Sequence, residues 1–205
     1  VIMTLHDFQL ICPNHMLYIE ESNRICESCK GKKYFECIRN KCLHNSKFKS
    51  FLAAFESFLY HKLKVYDKYI DYFISPSLFL KKKFIEFGEN ESKIFVLHNF
   101  ISTNSSVIAT KENYVLYFGR LSIQKGFKTL IQTMKRLPDI NFVVAGDGVL
   151  KDELSGMNNV EYVGFKNGLD LQKLISEALF SIIPSECYDN CPMAVLESQV
   201  LGTPV

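Results

Sequence analysis

Two carboxylates near the end of the sequence are spaced so that both could serve one binding site. Asp189 and Glu197 lie eight positions apart, and Pro192 between them occupies a place where a helix can begin. Asn190 is a candidate N-cap for that helix. Because the free N–H groups at a helix start attract anions, the stretch predicts a site for a phosphorylated ligand. The alternative is a capped core helix with one surface glutamate.

A glycine turn with two cations is the second candidate site. Residues 114–118 predict a buried strand, which leads into Gly119, Arg120 and Lys125 and then into a helical run over 126–136. A guanidinium group binds phosphate through two hydrogen bonds, and an ammonium group binds it as a point charge. A strand, a glycine turn and a helix start that carry both cations therefore predict a diphosphate site.

Taken together, the two stretches resemble a large family of glycosyltransferases. The resemblance is to the retaining enzymes often called glycosyltransferase family 4, or glycosyl transferases group 1, which have the two-domain GT-B fold. The family motifs read here Gly119-Arg120-Leu121-Ser122 with Lys125-Gly126, then Asp189-x7-Glu197, then Gly202-Thr203-Pro204-Val205. The family has glutamate at the first acidic position, where this chain has Asp189.

The resemblance implies a role for each motif residue. Arg120 and Lys125 would neutralise the diphosphate leaving group of a nucleotide-sugar donor, where negative charge develops during transfer. Glu197 would accept hydrogen bonds from ribose hydroxyls, and Asp189 with the backbone of 190–193 would hold the sugar and the phosphate. The resemblance places these residues in the donor site: Gly119, Arg120, Lys125, Gly146, Phe165, Asp189, Asn190, Cys191, Pro192, Met193 and Glu197.

His6 is the candidate catalytic residue of the acceptor side. It follows a predicted strand at 1–5, and ligands collect at the carboxyl ends of strands in open α/β sheets. By the resemblance, His6 would contact the transferred sugar; the alternative is that it only caps the strand and bonds to backbone. The predicted catalytic set is His6, Arg120, Lys125, Asp189 and Glu197.

Strands and helices alternate along the chain, which is typical of parallel sheets with right-handed crossovers. The pattern after residue 113 predicts strands at 114–118, 141–145, 160–163 and 180–183, and helices at 126–136, 149–155, 168–177 and 192–201. The predicted fold class is α/β of the GT-B type, with two Rossmann-like, doubly wound parallel-sheet domains, both incomplete. Because Val1 opens inside an apolar run and Val205 stands where a strand should begin, we expect the sequence to be cut at both ends.

The sequence divides into two predicted domains. Residues 1–104 are predicted to be the C-terminal part of an acceptor-side domain, with a cysteine-rich insertion at about 12–46. Clustered Ser, Thr and Asn residues indicate a linker, placed at 105–112. Residues 113–205 are predicted to be the N-terminal part of the nucleotide-sugar donor domain.

Four cysteines of the insertion have a spacing that could hold a metal. They form the pattern Cys26-x2-Cys29-x7-Cys37-x4-Cys42, whose four thiolates could close a tetrahedral structural zinc site. The gap between the two pairs is shorter than in zinc ribbons. Reduced structural thiols and disulfides therefore stand as alternatives to zinc.

A basic and aromatic helix is predicted over about 46–68. Its apolar residues repeat at helical spacing, namely Phe48, Phe51, Leu52, Phe55, Phe58, Leu59 and Leu63. Residues 24–83 carry 14 Lys or Arg against 5 Asp or Glu, so one interpretation is a surface that contacts an anionic membrane or a lipid-linked acceptor. The other is a helix whose aromatic stripe belongs to the core.

The predicted function is transfer of a sugar from a nucleotide-sugar donor to a glycan or lipid-linked acceptor, with retention of configuration. The resemblance points to synthesis of a cell-surface polysaccharide or glycoconjugate. No cofactor is expected in catalysis, because two cations and a helix start replace a metal and the sequence has no Asp-x-Asp motif. We expect a cytoplasmic protein that meets the inner face of the membrane. No run of the sequence reaches the roughly 18–20 apolar residues of a membrane span.

Two alternative functions come from other classes. A nucleotide-sugar epimerase or a glycoside phosphorylase could use the same fold, but a phosphorylase would need a pyridoxal-bound lysine, for which the sequence has no motif. A zinc-binding nucleic-acid module could be built on 26–42. The net charge of +2 does not decide about nucleic acid, and the strand–helix alternation over 114–205 argues against such a module as the main function. No nucleic-acid partner is therefore expected.

Overall fold

The computed structural model describes residues 1–101 and 109–205, which form two compact units. The first unit comprises Val1–Asn99 and Cys187–Cys191, and the second comprises Phe100–Glu186 and Pro192–Val205. Residues 105–108 of the predicted linker lie outside the described residues. The predicted domain boundaries stay a prediction.

The first unit contains a small parallel sheet, an antiparallel hairpin and four helices. Its elements in chain order are β1 (Ile2–Thr4), β2 (Tyr18–Ile19), β3 (Arg24–Ile25), α1 (Glu36–Arg39), α2 (Lys47–Lys62), α3 (Val65–Tyr69), β4 (Tyr72–Ser75), α4 (Leu78–Glu86) and β5 (Ile94–Val96). Short 3-10 helices lie at Glu20–Ser22 and Glu91–Lys93. The sheet order is β1-β4-β5, with all strands parallel.

The core of the first unit lies between this sheet and α4. Phe73 of β4 and Ile94 of β5 are buried with Leu80 and Phe84, which are four positions apart and therefore share one face of α4. Ser77 starts α4 because its hydroxyl accepts a hydrogen bond from the N–H of Leu80 at 3.1 Å. The sheet and its covering helix hold the carboxyl end of β1 in place.

The basic helix differs from its prediction in two ways. The predicted run 46–68 is wrong as one helix, because Lys64 adopts a left-handed conformation (φ 51°) and separates α2 from α3. The core interpretation is also wrong for much of the stripe. The helix buries the small residues Ser50 and Ala54 and leaves four large side chains of the predicted stripe exposed, namely Phe48, Phe51, Leu52 and Phe55.

The second unit is an open parallel sheet with helices. Its elements in chain order are β6 (Val115–Phe118), α5 (Phe127–Arg136), β7 (Phe142–Ala145), β8 (Val160–Gly164), α6 (Gly168–Glu177), β9 (Phe180–Ser181) and α7 (Met193–Val200). Short 3-10 helices lie at Ile123–Lys125 and Lys151–Leu154, so the prediction of an α-helix over 149–155 is wrong. The other predicted helices of this unit are present within one residue or two at each end.

The sheet of the second unit has the order β8-β7-β6-β9, and all neighbouring strands are parallel. Its two central strands, β6 and β7, are buried along their whole length, as expected for a sheet covered on both faces. Alternate residues face opposite sides: Val115 packs in one cluster with α5, and Leu116 packs in another with Ile175 of α6. This arrangement confirms the predicted α/β fold class.

Candidate functional site

Two glycine turns meet at the carboxyl ends of β6 and β7. The N–H of Gly119 donates to the carbonyl of Ala145 at 3.0 Å, and the N–H of Leu121 donates to the carbonyl of Asp147 at 2.9 Å. A Cβ atom added to Gly146 (φ 150°) would lie 1.9 Å from the carbonyl oxygen of Gly119. Such close backbone contact requires glycine at position 146. The two turns therefore form one compact backbone surface at the sheet edge where ligands bind in this class of fold.

A cavity of about 310 Å³ opens beside these turns. It is lined by Phe118, Gly119, Arg120, Ala145, Gly146, Asp147, Phe165, Lys166 and Leu171. The structure thus brings together four of the predicted donor-binding residues, Gly119, Arg120, Gly146 and Phe165. Lys166 was missed by the sequence analysis, although its position next to Phe165 at the end of β8 was a usable signal.

Arg120 and Lys125 do not occupy equivalent places. The Arg120 side chain is exposed at the cavity, and its main-chain carbonyl accepts a hydrogen bond from the Tyr117 hydroxyl at 2.7 Å. Lys125 ends the 3-10 helix Ile123–Lys125 and does not line this cavity. It is followed by Gly126 (φ 68°), where a Cβ would meet the carbonyl oxygen of Pro184 at 1.8 Å. A second close backbone contact therefore determines the path of the chain just after Lys125.

Glu197 lines a smaller, neighbouring cavity of about 140 Å³ between α6 and α7. Leu171 borders both cavities. The Glu197 side chain is half-buried, and burial raises the pKa of its carboxyl group. No hydrogen bond or ion pair holds this carboxylate among the described residues, so it can accept hydrogen bonds from a ligand.

A larger cavity of about 530 Å³ lies at the opposite end of the same sheet. Its lining includes Asn141 and Asn159, which directly precede β7 and β8, and Asn113, which lies two residues before β6. Ligands of open parallel sheets bind at the carboxyl ends of the strands rather than at these amino ends. The cavity beside the glycine turns is therefore the better candidate site.

His6 and the segment Cys187–Cys191 both belong to the first unit. His6 is exposed just after β1, and its main-chain carbonyl accepts a hydrogen bond from the Asn190 side-chain amide. The Asn190 side-chain oxygen accepts from the N–H of Cys191 at 2.7 Å. The Asn99 side chain donates to the carbonyl of Cys191 at 3.4 Å. These bonds bring His6 together with the loop that carries Asp189.

The same bonds correct the predicted role of Asn190. The last helix, α7, begins at Met193, and Pro192 occupies its cap position without a side-chain cap bond. Asn190 is therefore not the N-cap, because its side chain is engaged by Cys191 and His6 instead. Of the two carboxylates predicted to serve one site, Asp189 lies in the first unit and Glu197 in the second.

The family can now be assigned. Residues 100–205, just over half of the chain, match the family model described as Glycosyl transferases group 1. The chain belongs to this family. The match covers the glycine turns, the Arg120 cavity and Glu197.

Relatives of this group 1 glycosyl transferase agree with the assignment. The chain is 35% identical over 104 residues to an uncharacterized glycosyltransferase of Methanocaldococcus jannaschii. The aligned region covers 46% of this chain and 26% of that protein. It is 27% identical over 128 residues to the lipopolysaccharide core biosynthesis glycosyltransferase LpsE of Rhizobium meliloti, covering 55% of this chain and 37% of that protein.

A solved structure of HepE from Anabaena, in complex with UDP, resembles the chain along its whole length. The TM-score is 0.62 at 17% identity, and the match covers 100% of this chain and 52% of HepE. This likeness shows that the fold is of the GT-B type. The chain spans about half of HepE and a smaller share of the curated relatives.

Tyr188 anchors the Asp189 segment of this group 1 chain in the first unit. Its ring lies 5.1 Å from the Phe79 ring and 6.2 Å from the Phe8 ring, measured between centroids. Its hydroxyl donates to a Glu27 carboxylate oxygen at 2.8 Å, and Lys83 donates to the same oxygen at 2.8 Å. The Lys83 ammonium group also lies 5.1 Å from the centroid of the Tyr188 ring.

Within this anchor, the charged forms of Lys83 and Glu27 stabilise each other. The Lys83 hydrogen bond holds the pKa of the Glu27 carboxyl below its usual range, and Glu27 raises the pKa of Lys83. Burial, and then the bond to Glu27, raise the pKa of the Tyr188 hydroxyl, which therefore stays protonated as a donor. The sequence analysis missed this anchor, whose members are separated by up to 161 positions.

Removing the Lys83 ammonium should destabilise the first unit. We expect Lys83→Ala to cost about 1–3 kcal/mol at neutral pH, because it leaves Glu27 without its charged partner. A carboxyl with a lowered folded pKa contributes stability above its unfolded pKa and loses it as pH falls through the folded pKa. The difference between Lys83→Ala and wild type in urea unfolding should therefore shrink below about pH 4. Lys82→Ala, at an exposed neighbour, is the control. Equal unfolding of both variants at neutral pH would contradict the anchor.

The four predicted zinc ligands all lie within the described residues. No group of three or more His, Cys, Asp or Glu side chains that could hold a metal ion occurs within 1–101 and 109–205. The seven cysteines, all within the described residues, form no disulfide bond. The set Cys26, Cys29, Cys37 and Cys42 stays a prediction.

Three of these thiols contribute to a small core of the insertion. Cys29 and Cys37 are buried with Tyr34 and Ala54, and Cys42 packs against them. Burial raises the pKa of Cys12 to about 11. A hydrogen bond with Cys37, and then burial, raise the pKa of Cys42. Cys12 and Cys42 are therefore protonated and poorly reactive at neutral pH.

No helix among the described residues is long and apolar enough to cross a membrane.

Proposed function

We propose that this chain is part of a glycosyltransferase that transfers a sugar from a nucleotide-sugar donor to a glycan or lipid-linked acceptor. The observation that carries the proposal is the cavity at the carboxyl ends of β6 and β7, where Arg120 stands beside two glycine turns. Glu197 lines the neighbouring cavity. A cation and a carboxylate around adjoining cavities suit a ligand that has both phosphates and sugar hydroxyls.

The residues of the second unit would bind the donor. Arg120 offers a bidentate guanidinium to the diphosphate, and Lys125 adds a second positive charge. Glu197 accepts hydrogen bonds from the ribose hydroxyls. The exposed Phe165 ring at the cavity offers an apolar surface to the base. HepE is described in complex with UDP, which supports a nucleoside diphosphate as the ligand of this region.

The charge that develops on the leaving diphosphate sets the catalytic requirement. Preorganised cations stabilise that charge most strongly because they need no reorganisation during the reaction. Arg120, Lys125 and the N–H groups at the start of α7 are proposed to supply this stabilisation without a metal. His6 and Asp189 are proposed to contact the transferred sugar, and the transfer is proposed to retain its configuration.

The biological setting is part of the proposal. LpsE is described as a glycosyltransferase of lipopolysaccharide core biosynthesis, which supports a role in the synthesis of cell-surface glycans. The donor reaction is proposed to take place in the cytoplasm, at the inner face of the membrane.

The function can be tested with a panel of nucleotide sugars. The intact protein is incubated with each donor and a cell-surface glycan or lipid-linked acceptor, and the release of nucleoside diphosphate is measured. We expect release from at least one donor, with a glycosylated product whose anomeric configuration matches the donor by NMR. Interconversion of two nucleotide sugars without an acceptor would indicate an epimerase instead and would overturn the proposal, as would inertness toward all donors.

The half-buried Glu197 predicts a pH dependence of nucleotide binding. Because its pKa is raised, Glu197 becomes protonated at a pH above the usual value of about 4.3 and then no longer accepts two hydroxyl hydrogen bonds. The affinity for UDP should therefore begin to fall at a higher pH than protonation of an exposed glutamate, whose pKa is about 4.3, would cause. Glu197→Gln should bind UDP about tenfold more weakly at neutral pH and show a flatter profile. Calorimetric titration measures both. A wild-type profile as flat as that of the variant would contradict this role.

A further inference from the structure

The orientation of α2 is unusual for a helix of a globular unit. It packs through small residues, with Ser50 and Ala54 at 0% exposure. Most large apolar side chains in its first half point outward: Phe48 is 70% exposed and Leu52 is 50% exposed, whereas Phe58 near its end is half-buried against the cysteine core. An exposed face of this kind indicates an interaction site rather than a core.

The exposed side chains form one continuous stripe. Phe48, Phe51, Leu52 and Phe55 are spaced i, i+3, i+4 and i+7, which places them on one side of the helix. The Phe51 and Phe55 rings stack at 6.0 Å between centroids. Leu63, 65% exposed, follows at the end of the same side. We call these four residues of α2, with Lys47 and Lys49, the α2 face.

Two lysines border the stripe symmetrically. At about 100° per residue, Lys47 and Lys49 lie on opposite sides of Phe48. Both are exposed, and neither forms an ion pair with any described side chain. Their surroundings in the chain are basic as well, since 30–49 contains seven Lys or Arg and one acidic residue, Glu36. The α2 face thus combines an apolar centre with one lysine on each side, and the exposed Glu56 lies on the Lys49 side, four positions after Leu52.

We propose that the α2 face docks on the surface of an anionic lipid bilayer. Phenylalanine rings of such a helix enter the boundary between headgroups and acyl chains, while flanking lysines pair with lipid phosphates. The charge distribution favours this occupant over a second copy of the chain, because a self-contact would bring the lysines of both copies together. The apolar centre favours a membrane over nucleic acid. This docking does not depend on the proposed sugar transfer.

The first test is binding of the intact protein to vesicles. The probes are vesicles of phosphatidylcholine with about 30 mol% phosphatidylglycerol, and vesicles of phosphatidylcholine alone. We expect the protein to sediment with the anionic vesicles, to bind the neutral ones at least about tenfold more weakly, and to release from the anionic ones as salt rises.

Variants assign the binding to the α2 face. Replacing both rings, in Phe51→Ser with Phe55→Ser, should weaken binding by about tenfold for each ring lost from the membrane. Reversing both charges, in Lys47→Glu with Lys49→Glu, should weaken it by about 30-fold or more. Phe100→Ser is the matched control, because Phe100 is 81% exposed outside α2. It should bind like wild type.

Several results would overturn the docking proposal. It fails if wild type does not bind anionic vesicles, if it binds both vesicle types equally, or if both double variants bind like wild type. Light scattering provides a separate measurement: a wild-type dimer that Phe51→Ser with Phe55→Ser dissociates would show that a second copy covers the face. Thermal unfolding of each variant checks its fold. Release of nucleoside diphosphate with a soluble acceptor should be unchanged in these variants, so failure of docking and failure of sugar transfer are distinguishable.

Discussion

Replacing Arg120 by alanine should lower the turnover of a nucleotide sugar by about 10²–10³-fold. The expectation follows from its position at the cavity beside the two glycine turns, where it can meet the leaving diphosphate. The loss should appear in kcat as well as in KM, because negative charge increases as the transition state forms. Arg120→Lys should recover only part of the activity, since an ammonium group lacks the bidentate geometry of a guanidinium. Steady-state kinetics of the intact protein measure all of these values.

Variants at Lys125 and at the neighbouring Lys128 extend this experiment. Lys125→Ala should cause a loss of similar size, although Lys125 does not line the Arg120 cavity. Lys128→Ala is the control, because Lys128 is exposed on α5, away from the lining of both cavities. Wild-type rates in Arg120→Ala and Lys125→Ala, with thermal unfolding unchanged, would show that the diphosphate is held elsewhere.

Alanine at position 146 should destabilise the second unit by about 2–6 kcal/mol. Part of this cost is the backbone strain of an alanine held at the positive φ of Gly146, about 1–3 kcal/mol. The remainder is overpacking, also about 1–3 kcal/mol, because the new Cβ would fall 1.9 Å from the Gly119 carbonyl oxygen and neither backbone can move freely. Urea unfolding followed by circular dichroism measures the change. UDP binding should be lost together with stability, because the two turns would be forced apart.

Gly156 is a matched control for this substitution. It also has a positive φ, of 78°, but no described heavy atom lies within 4 Å of a Cβ built there. Gly156→Ala should therefore cost only the conformational strain, about 1–2 kcal/mol. If Gly146→Ala costs no more than Gly156→Ala, the close contact between the two turns does not exist in solution.

The sheet of the second unit was predictable because its central strands have a simple pattern. Residues 114–118 and 142–145 are continuous apolar runs that end in glycine turns, which is typical of strands buried on both faces. The positions of Gly119, Arg120 and Gly146 followed, since parallel strands end at the same sheet edge. The three residues were predicted from the strand pattern and the sheet topology together, and they lie close to one another in the structure.

The orientation of α2 was not predictable from its pattern. Periodicity shows that Phe48, Phe51, Leu52 and Phe55 share one side of a helix, but it does not show which side faces the protein. The opposite side, with Ser50 and Ala54, is small enough to pack closely against the rest of the first unit. Tertiary packing therefore buries the side with small residues, whereas the apolar stripe is the buried side of most helices in globular proteins.

Asn190 and Tyr188 show the same limit at the candidate site. An asparagine two residues before a proline fits the pattern of an N-cap, yet Asn190 bonds instead to the distant His6 carbonyl. Tyr188 bonds to Glu27, which is 161 positions away. No local rule anticipates partners at such separation. The sequence therefore indicated which residues could do chemistry, whereas the residues that hold them emerged only from the structure.

Calorimetric titration of the intact protein with UDP tests the central claim most directly, with wild type, Arg120→Ala and Glu197→Gln compared at neutral pH. The account predicts wild-type binding in the range of about 1 µM to 1 mM, and binding at least about tenfold weaker in each variant. It also predicts unchanged thermal unfolding of the two variants in the absence of UDP. Absence of wild-type binding to UDP and to other nucleoside diphosphates, or equal affinities of wild type and both variants, would contradict the assignment of the donor site.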